Sequence, residues 1–122
     1  MKPLIISILT LTCVQLNNLF SAMDYRDNYC GNYAGRRTYK YVNAANTLTA
    51  STNNYTISVS KGLTDSTLTI GTMEGVFIAK LLNNQFRNTA NHRFYGKFSN
   101  DSIYLNFIPS AGPNTFNYVG KK

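Results

Sequence analysis

The chain has 122 residues, with 12 Lys plus Arg against 5 Asp plus Glu and a formal charge of +7, a length that holds one small domain. Asn, Thr and Ser number 16, 13 and 9, and these short polar residues favour turns, caps and exposed strand faces over helix interiors, which argues against a helical bundle or coiled coil. The 43% apolar content argues against disorder, and 8 Gly with 3 Pro against a collagen-like or proline-rich chain.

Residues 1–22 read as an export signal. Lys2 precedes an apolar run over residues 4–16, interrupted only by Ser7, Thr10, Thr12 and Gln15, and Asn17 and Asn18 follow it. At about 13 residues the run is shorter than the roughly 18 to 20 a membrane-crossing helix needs. The small residues Ser21 and Ala22 suit cleavage after Ala22, although Phe20 is bulky for such a site. Cys13 offers a second route, cleavage and lipidation as in bacterial lipoproteins, although Thr10, Leu11 and Thr12 fit that motif poorly. Membrane association follows only if Cys13 is acylated.

Residues 23–32 form a lead-in that carries Cys30, the one cysteine of the exported body. It is a free thiol or an intermolecular bridge, and packing as a small apolar side chain is the preferred reading. One Cys and one His cannot fill a tetrahedral zinc shell.

From Tyr33 onward apolar residues recur with a period of two, the mark of half-buried strands. Strands are expected around Tyr33 to Tyr41, Tyr55 to Val59, Leu68 to Ile70, Val76 to Leu82, Phe86 with Arg87, Phe94 to Phe98, Ile103 to Phe107 and Phe116 to Val119. Residues 43–54, rich in Ala, Thr, Asn and Ser, are expected to be the longest and most mobile loop. Eight closely spaced strands without crossover helices make residues 33–122 a single all-β domain, a small antiparallel meander. Closing into an up-and-down barrel removes the strand edges, and a two-sheet sandwich is the alternative. Tyr55, Ile57, Val59, Leu68, Ile70, Ile103, Leu105 and Phe107 are the inward candidates, large enough to fill most of such a barrel.

The body opens with Asp24-Tyr25-Arg26-Asp27 followed by Gly31-Asn32-Tyr33 and Gly35, then Ile57-Ser58-Val59-Ser60-Lys61-Gly62. Gly96-Lys97-Phe98-Ser99-Asn100-Asp101-Ser102-Ile103-Tyr104 and the terminal Tyr118-Val119-Gly120-Lys121-Lys122 follow. On these segments the chain resembles the small exported, lipocalin-like β-meander proteins of Gram-negative bacteria, and an up-and-down, lipocalin-like barrel is the fold this implies. The resemblance implies a barrel facing the periplasm, the outer envelope or the exterior, and it brings no catalytic residues with it. Cys30, where an apolar residue is expected, and the poor lipidation motif depart from the pattern.

Little in the composition points to catalysis. His92 sits in a polar turn, and four of the five acids, Asp24, Asp27, Asp65, Glu74 and Asp101, lie in or beside turns where carboxylates cap backbone groups. The reading is a protein that is not an enzyme and needs no cofactor. The one suggestive cluster is Arg36, Arg37, Tyr39, Lys40 and Tyr41, where cations interleave with tyrosines. Strand parity puts Arg37 with the tyrosines on one face and Arg36 and Lys40 on the other. Export argues against a nucleic-acid partner and leaves envelope glycans or lipids. The favoured function is a non-catalytic envelope module holding a small apolar ligand, and the alternative is a surface module for glycans or anionic polymers.

Overall fold

The structure, a computed structural model, describes residues 24–88, 90, 93–109 and 114–122. Residues 1–22, read above as an export signal and including Cys13, lie outside the described residues, as does His92. A single turn of 3-10 helix, Tyr25–Asn28, leads into eight strands: β1 (Gly31–Val42), β2 (Leu48–Lys61), β3 (Thr67–Thr72), β4 (Gly75–Leu82), β5 (Gln85–Asn88), β6 (Phe94–Ser99), β7 (Ser102–Phe107) and β8 (Thr115–Lys121). Each strand pairs antiparallel with the next, and β8 returns to β1 from Ala34↔Lys121 to Lys40↔Thr115, closing an up-and-down barrel. The sandwich alternative is thereby excluded, because one continuous ladder runs around the molecule.

The alternation that marks the strands in sequence becomes inside and outside in the barrel. Tyr33, Ile57, Val59, Leu68, Ile70, Ala79, Leu81, Phe86, Phe94, Phe98, Ile103, Leu105 and Tyr118 form one buried core. All eight inward candidates face it, with Tyr55 and Phe107 only partly buried. Residues 76–82, an unbroken apolar run in sequence, also alternate: Ala79 and Leu81 are buried, while Val76, Ile78 and Leu82 are exposed. Tight turns punctuate the meander with Asn83 (φ 57°) and Asn100 (φ 53°) in the left-handed region, which a short amide side chain tolerates. Gly35 lets β1 and β8 approach closely: a Cβ there would lie 1.9 Å from the Val119 carbonyl oxygen. Beside it, the buried Tyr118 hydroxyl donates toward the carbonyl oxygens of Tyr55 (2.6 Å) and Tyr33, tying β8 to the β1–β2 seam.

One expectation fails. The long loop over residues 43–54 is only five residues long, 43–47, and residues 48–54 are strand, paired with β1 from Val42↔Leu48 to Arg36↔Asn54. The sequence hid this because Thr49, Ser51 and Asn53, which share the face of Tyr55 and Ile57, are as polar as the outward residues between them, so no apolar alternation marks the segment. β2 meets β3 only over Ser58–Lys61, so among the described residues its edge from 48 to 57 has no strand partner on that side. On its other side β1 is paired with β8 as far as Lys40↔Thr115, so the hairpin tip, residues 41–49, projects beyond that neighbour.

The two ends of the barrel differ. At the capped end, Arg26 donates from Nη1 to the carbonyls of Gly62 (3.2 Å), Thr64 (2.9 Å) and Thr67 (3.1 Å) and from Nη2 to Asp24 (2.6 Å), pinning the helical turn to the β2–β3 loop. Tyr29 packs its ring 4.7 Å from that of Phe98 and donates its hydroxyl to Asn84 Oδ1 (2.6 Å), and Tyr33 donates to the Tyr29 carbonyl (2.7 Å). The lead-in is thus a lid rather than a free tail. The hairpin end carries the projecting β1–β2 hairpin and the β3–β4 turn at Met73 and Glu74.

Candidate functional site

Strand parity brings Arg37, Tyr39 and Tyr41 onto the inner face at the hairpin end, while Arg36 and Lys40 stand exposed on the outer wall. The suggestive cluster is therefore two surfaces separated by the thickness of the sheet. On the inner one, the Arg37 guanidinium forms an ion pair through Nε with Glu74, both side chains about 15% exposed, and donates from Nη1 to Asn53 Oδ1 at 3.3 Å. Its carbon sits 4.6 Å from the centre of the Phe116 ring and 5.8 Å from that of Tyr39. The cation is thus held by a carboxylate, an amide and two aromatic faces.

The rings continue past it in both directions. Tyr39 stacks on Tyr41 (5.0 Å) and on Phe116 (4.6 Å), Phe116 lies 6.0 Å from Phe107, and Phe107 meets the edge of Phe77 at 4.9 Å. Phe77 stacks on Phe94 at 4.1 Å, and through Phe86 and Phe98 the column reaches Tyr29 and Tyr33 at the capped end. Solvent access divides this column. Tyr39, Tyr41, Tyr55, Phe77, Phe107 and Phe116 at the hairpin end are all partly exposed, whereas Tyr33, Phe86, Phe94 and Phe98 are buried.

Burial and pairing tune the groups at the capped end. Hydrogen bonds from Arg26 hold the Asp24 carboxyl down at about 2, and Asp27 pushes the Lys61 ammonium up through their 2.9 Å ion pair. Desolvation pushes the Tyr33 phenol up to about 12 and raises the half-buried Cys30 thiol, opposite to the shift that activates a thiolate nucleophile. Cys30 is a free thiol. Among the described residues no three His, Cys, Asp or Glu side chains gather where a metal ion could be held.

The chain matches no protein-family model, no curated protein and no solved structure.

Sequence reading located Arg37 and its tyrosines but missed Glu74, Asn53 and Phe116 as their neighbours. Glu74 read as an ordinary turn carboxylate and Asn53 as part of a loop. One signal was present: an arginine on the inner face of a strand requires a counter-charge, and among the acids only Glu74 falls at a connection on the hairpin side. The pair is electrically neutral, so it offers directed hydrogen bonds without net charge, set among aromatic faces. That combination suits a largely apolar ligand carrying one or two polar groups.

Proposed function

We propose that the protein is an exported, non-catalytic barrel that holds a small, largely apolar ligand against the aromatic inner surface at its hairpin end. The observation that carries this reading is the solvent access retained by Tyr39, Tyr41, Tyr55, Phe77, Phe107 and Phe116 on the inner face, where the aromatic rings toward the capped end, Tyr33, Phe86 and Phe98, are buried. Large rings left partly wet inside a barrel are an unspent driving force, at roughly 25 cal/mol per Å² of apolar surface that a ligand would cover. Arg37, Asn53 and Glu74 would orient the ligand's polar group. The apolar run over residues 4–16 and the resemblance to exported lipocalin-like proteins support placement in the periplasm, outer envelope or exterior. The non-catalytic part of the reading is supported by what the acids do: Asp24, Asp27 and Glu74 are each engaged by a cation.

A neutral fluorescent probe such as N-phenyl-1-naphthylamine tests the site. Its emission should rise on binding, and Phe116→Ala or Tyr39→Ala should weaken it while the outer-wall change Lys40→Ser does not. Binding should persist from about 0.1 M to about 1 M salt, over which the Debye length shrinks from about 10 Å to about 3 Å. Loss of binding with salt, or no effect of the two aromatic substitutions, would overturn the reading.

A further inference from the structure

Charge on this barrel is sorted by place. Asp24, Asp27, Asp65 and Asp101 lie in the helical turn, loop and tight turn of the capped end, and Glu74 is turned toward Arg37. The outer wall carries Arg36, Lys40, Lys80, Arg87, Lys97 and Lys121, all exposed, and among the described residues none of the six forms an ion pair.

Two of these cations are placed against each other. Lys80 on β4 and Arg87 on β5 are direct register partners on the outer face. Like charges directly opposite across a ladder destabilise it, so the arrangement works against the fold. Lys97 is diagonal to Arg87 through the pairs Gln85↔Lys97 and Arg87↔Tyr95, and its ammonium is turned to the Tyr104 ring at 5.5 Å.

The opposed pair also borders a depression of about 540 Å³, whose other lining includes Leu82, Gln85, Tyr95 and Gly96. The sheet is short here: β5 has four residues and joins β6 through three register pairs. Gly96 lines the depression with bare backbone, because its missing Cβ would point inward, 2.5 Å from the ring of the buried Phe86. Two cations at one rim, an amide beside them and an exposed tyrosine with an exposed leucine make a surface with one strongly anion-seeking side and one apolar side.

We propose that this depression binds a tetrahedral oxyanion, a phosphate or sulfate group, carried on a small ring such as a sugar. Lys80 and Arg87 share the anion, which replaces their mutual repulsion with two charge-assisted hydrogen bonds. Tyr95 and Leu82 take the flat, less polar side of the ring. The site lies on the outer wall and is independent of the inner aromatic surface, so either can fail without the other.

Calorimetric titration of the full chain at low ionic strength with inorganic phosphate, glucose 6-phosphate and glucose tests it. Glucose 6-phosphate should bind, inorganic phosphate more weakly, and glucose not measurably. Lys80→Gln or Arg87→Gln should each weaken glucose 6-phosphate by about tenfold, as expected for one lost charge-assisted contact, while Lys121→Gln leaves it unchanged. Without ligand, each of the first two variants should melt no lower than the parent at low salt, since the opposed charges are relieved. An equal loss in Lys121→Gln would show diffuse charge attraction and overturn the site, as would unchanged affinity in both rim variants. Phosphate binding equal to that of glucose 6-phosphate would overturn the part assigned to Tyr95 and Leu82.

Discussion

The capped end and the hairpin end of the barrel are built from the same strands and teach different things about them. Toward the capped end Tyr33, Ile57, Val59, Leu81, Phe86, Phe98 and Ile103 are buried, the lead-in folds over the opening, and Arg26 directs its donors to three backbone carbonyls and one carboxylate. At the hairpin end the inner positions are aromatic or polar and partly wet, an ion pair takes the place of aliphatic packing, and a long stretch of β2 edge lacks a strand partner. One end has the features of a packed core and the other those of a surface open to a ligand. Stability and binding are therefore expected to separate by position along the strands.

The largest effect expected from this contrast is at Ile57, which is 1% exposed in the capped half. Ile57→Asp buries a charge with no partner and should cost several kcal/mol, a large part of the 5 to 15 kcal/mol typical of a small domain. Urea denaturation should find the variant largely unfolded without denaturant. Wild-type stability would mean that the capped half is not the core.

Two phenylalanines of the same aromatic column make a gentler comparison. Phe94 is fully buried, so Phe94→Ala should cost about 3 to 5 kcal/mol, the usual range for a truncated core aromatic. Phe116 is only partly buried, so Phe116→Ala should cost clearly less while weakening the apolar probe. Denaturation midpoints of the two variants decide it, and equal losses would erase the distinction between the ends.

The ion pair sharpens the contrast further. Removing one partner from a mostly desolvated pair leaves the other charge uncompensated, whereas removing both is often nearly neutral. Glu74→Gln should therefore destabilise by about 1 to 3 kcal/mol, the cost of an unsatisfied buried group. Combining it with Arg37→Met should return most of that loss. A double-mutant cycle reads the coupling directly, and additive losses would show that the pair is not a unit.

These differences also explain how far the sequence could be read. The capped half was legible because its inward residues, Ile57, Val59, Leu68, Ile70, Ile103 and Leu105, are apolar and alternate with Ser, Thr, Asn and Tyr, which is the signal that reveals a strand. Eight strands and a closed barrel followed from their spacing and from the absence of helical periodicity. The hairpin half was not legible in the same way, because a surface that meets solvent or a ligand does not carry the burial pattern. Residues 48–54 looked like a loop for that reason. The Arg37 and Glu74 pair spans 37 positions of sequence, and no local pattern encodes which strand ends meet across a barrel. Parity alone, however, separated Arg37, Tyr39 and Tyr41 from Arg36 and Lys40.

The smallest effect concerns how the cap itself is fastened. Asp24 accepts from the Arg26 backbone N–H (2.9 Å) and from its guanidinium, and these bonds lower its carboxyl from 3.8 to about 2. Between those two values the unfolded chain takes up a proton that the folded chain refuses, so the contribution of this contact is complete above the unfolded value and fades as pH falls toward the folded one. The carboxyl is at the surface, which keeps the effect small. Thermal midpoints measured from neutral pH down to about 2 should fall for the parent, partly through other carboxylates. Asp24→Asn should begin lower at neutral pH and lose less over the acid window, so that the two curves converge. Parallel curves would show that the helical turn is fastened mainly by the carbonyls that Arg26 binds, and that its carboxylate clasp is incidental.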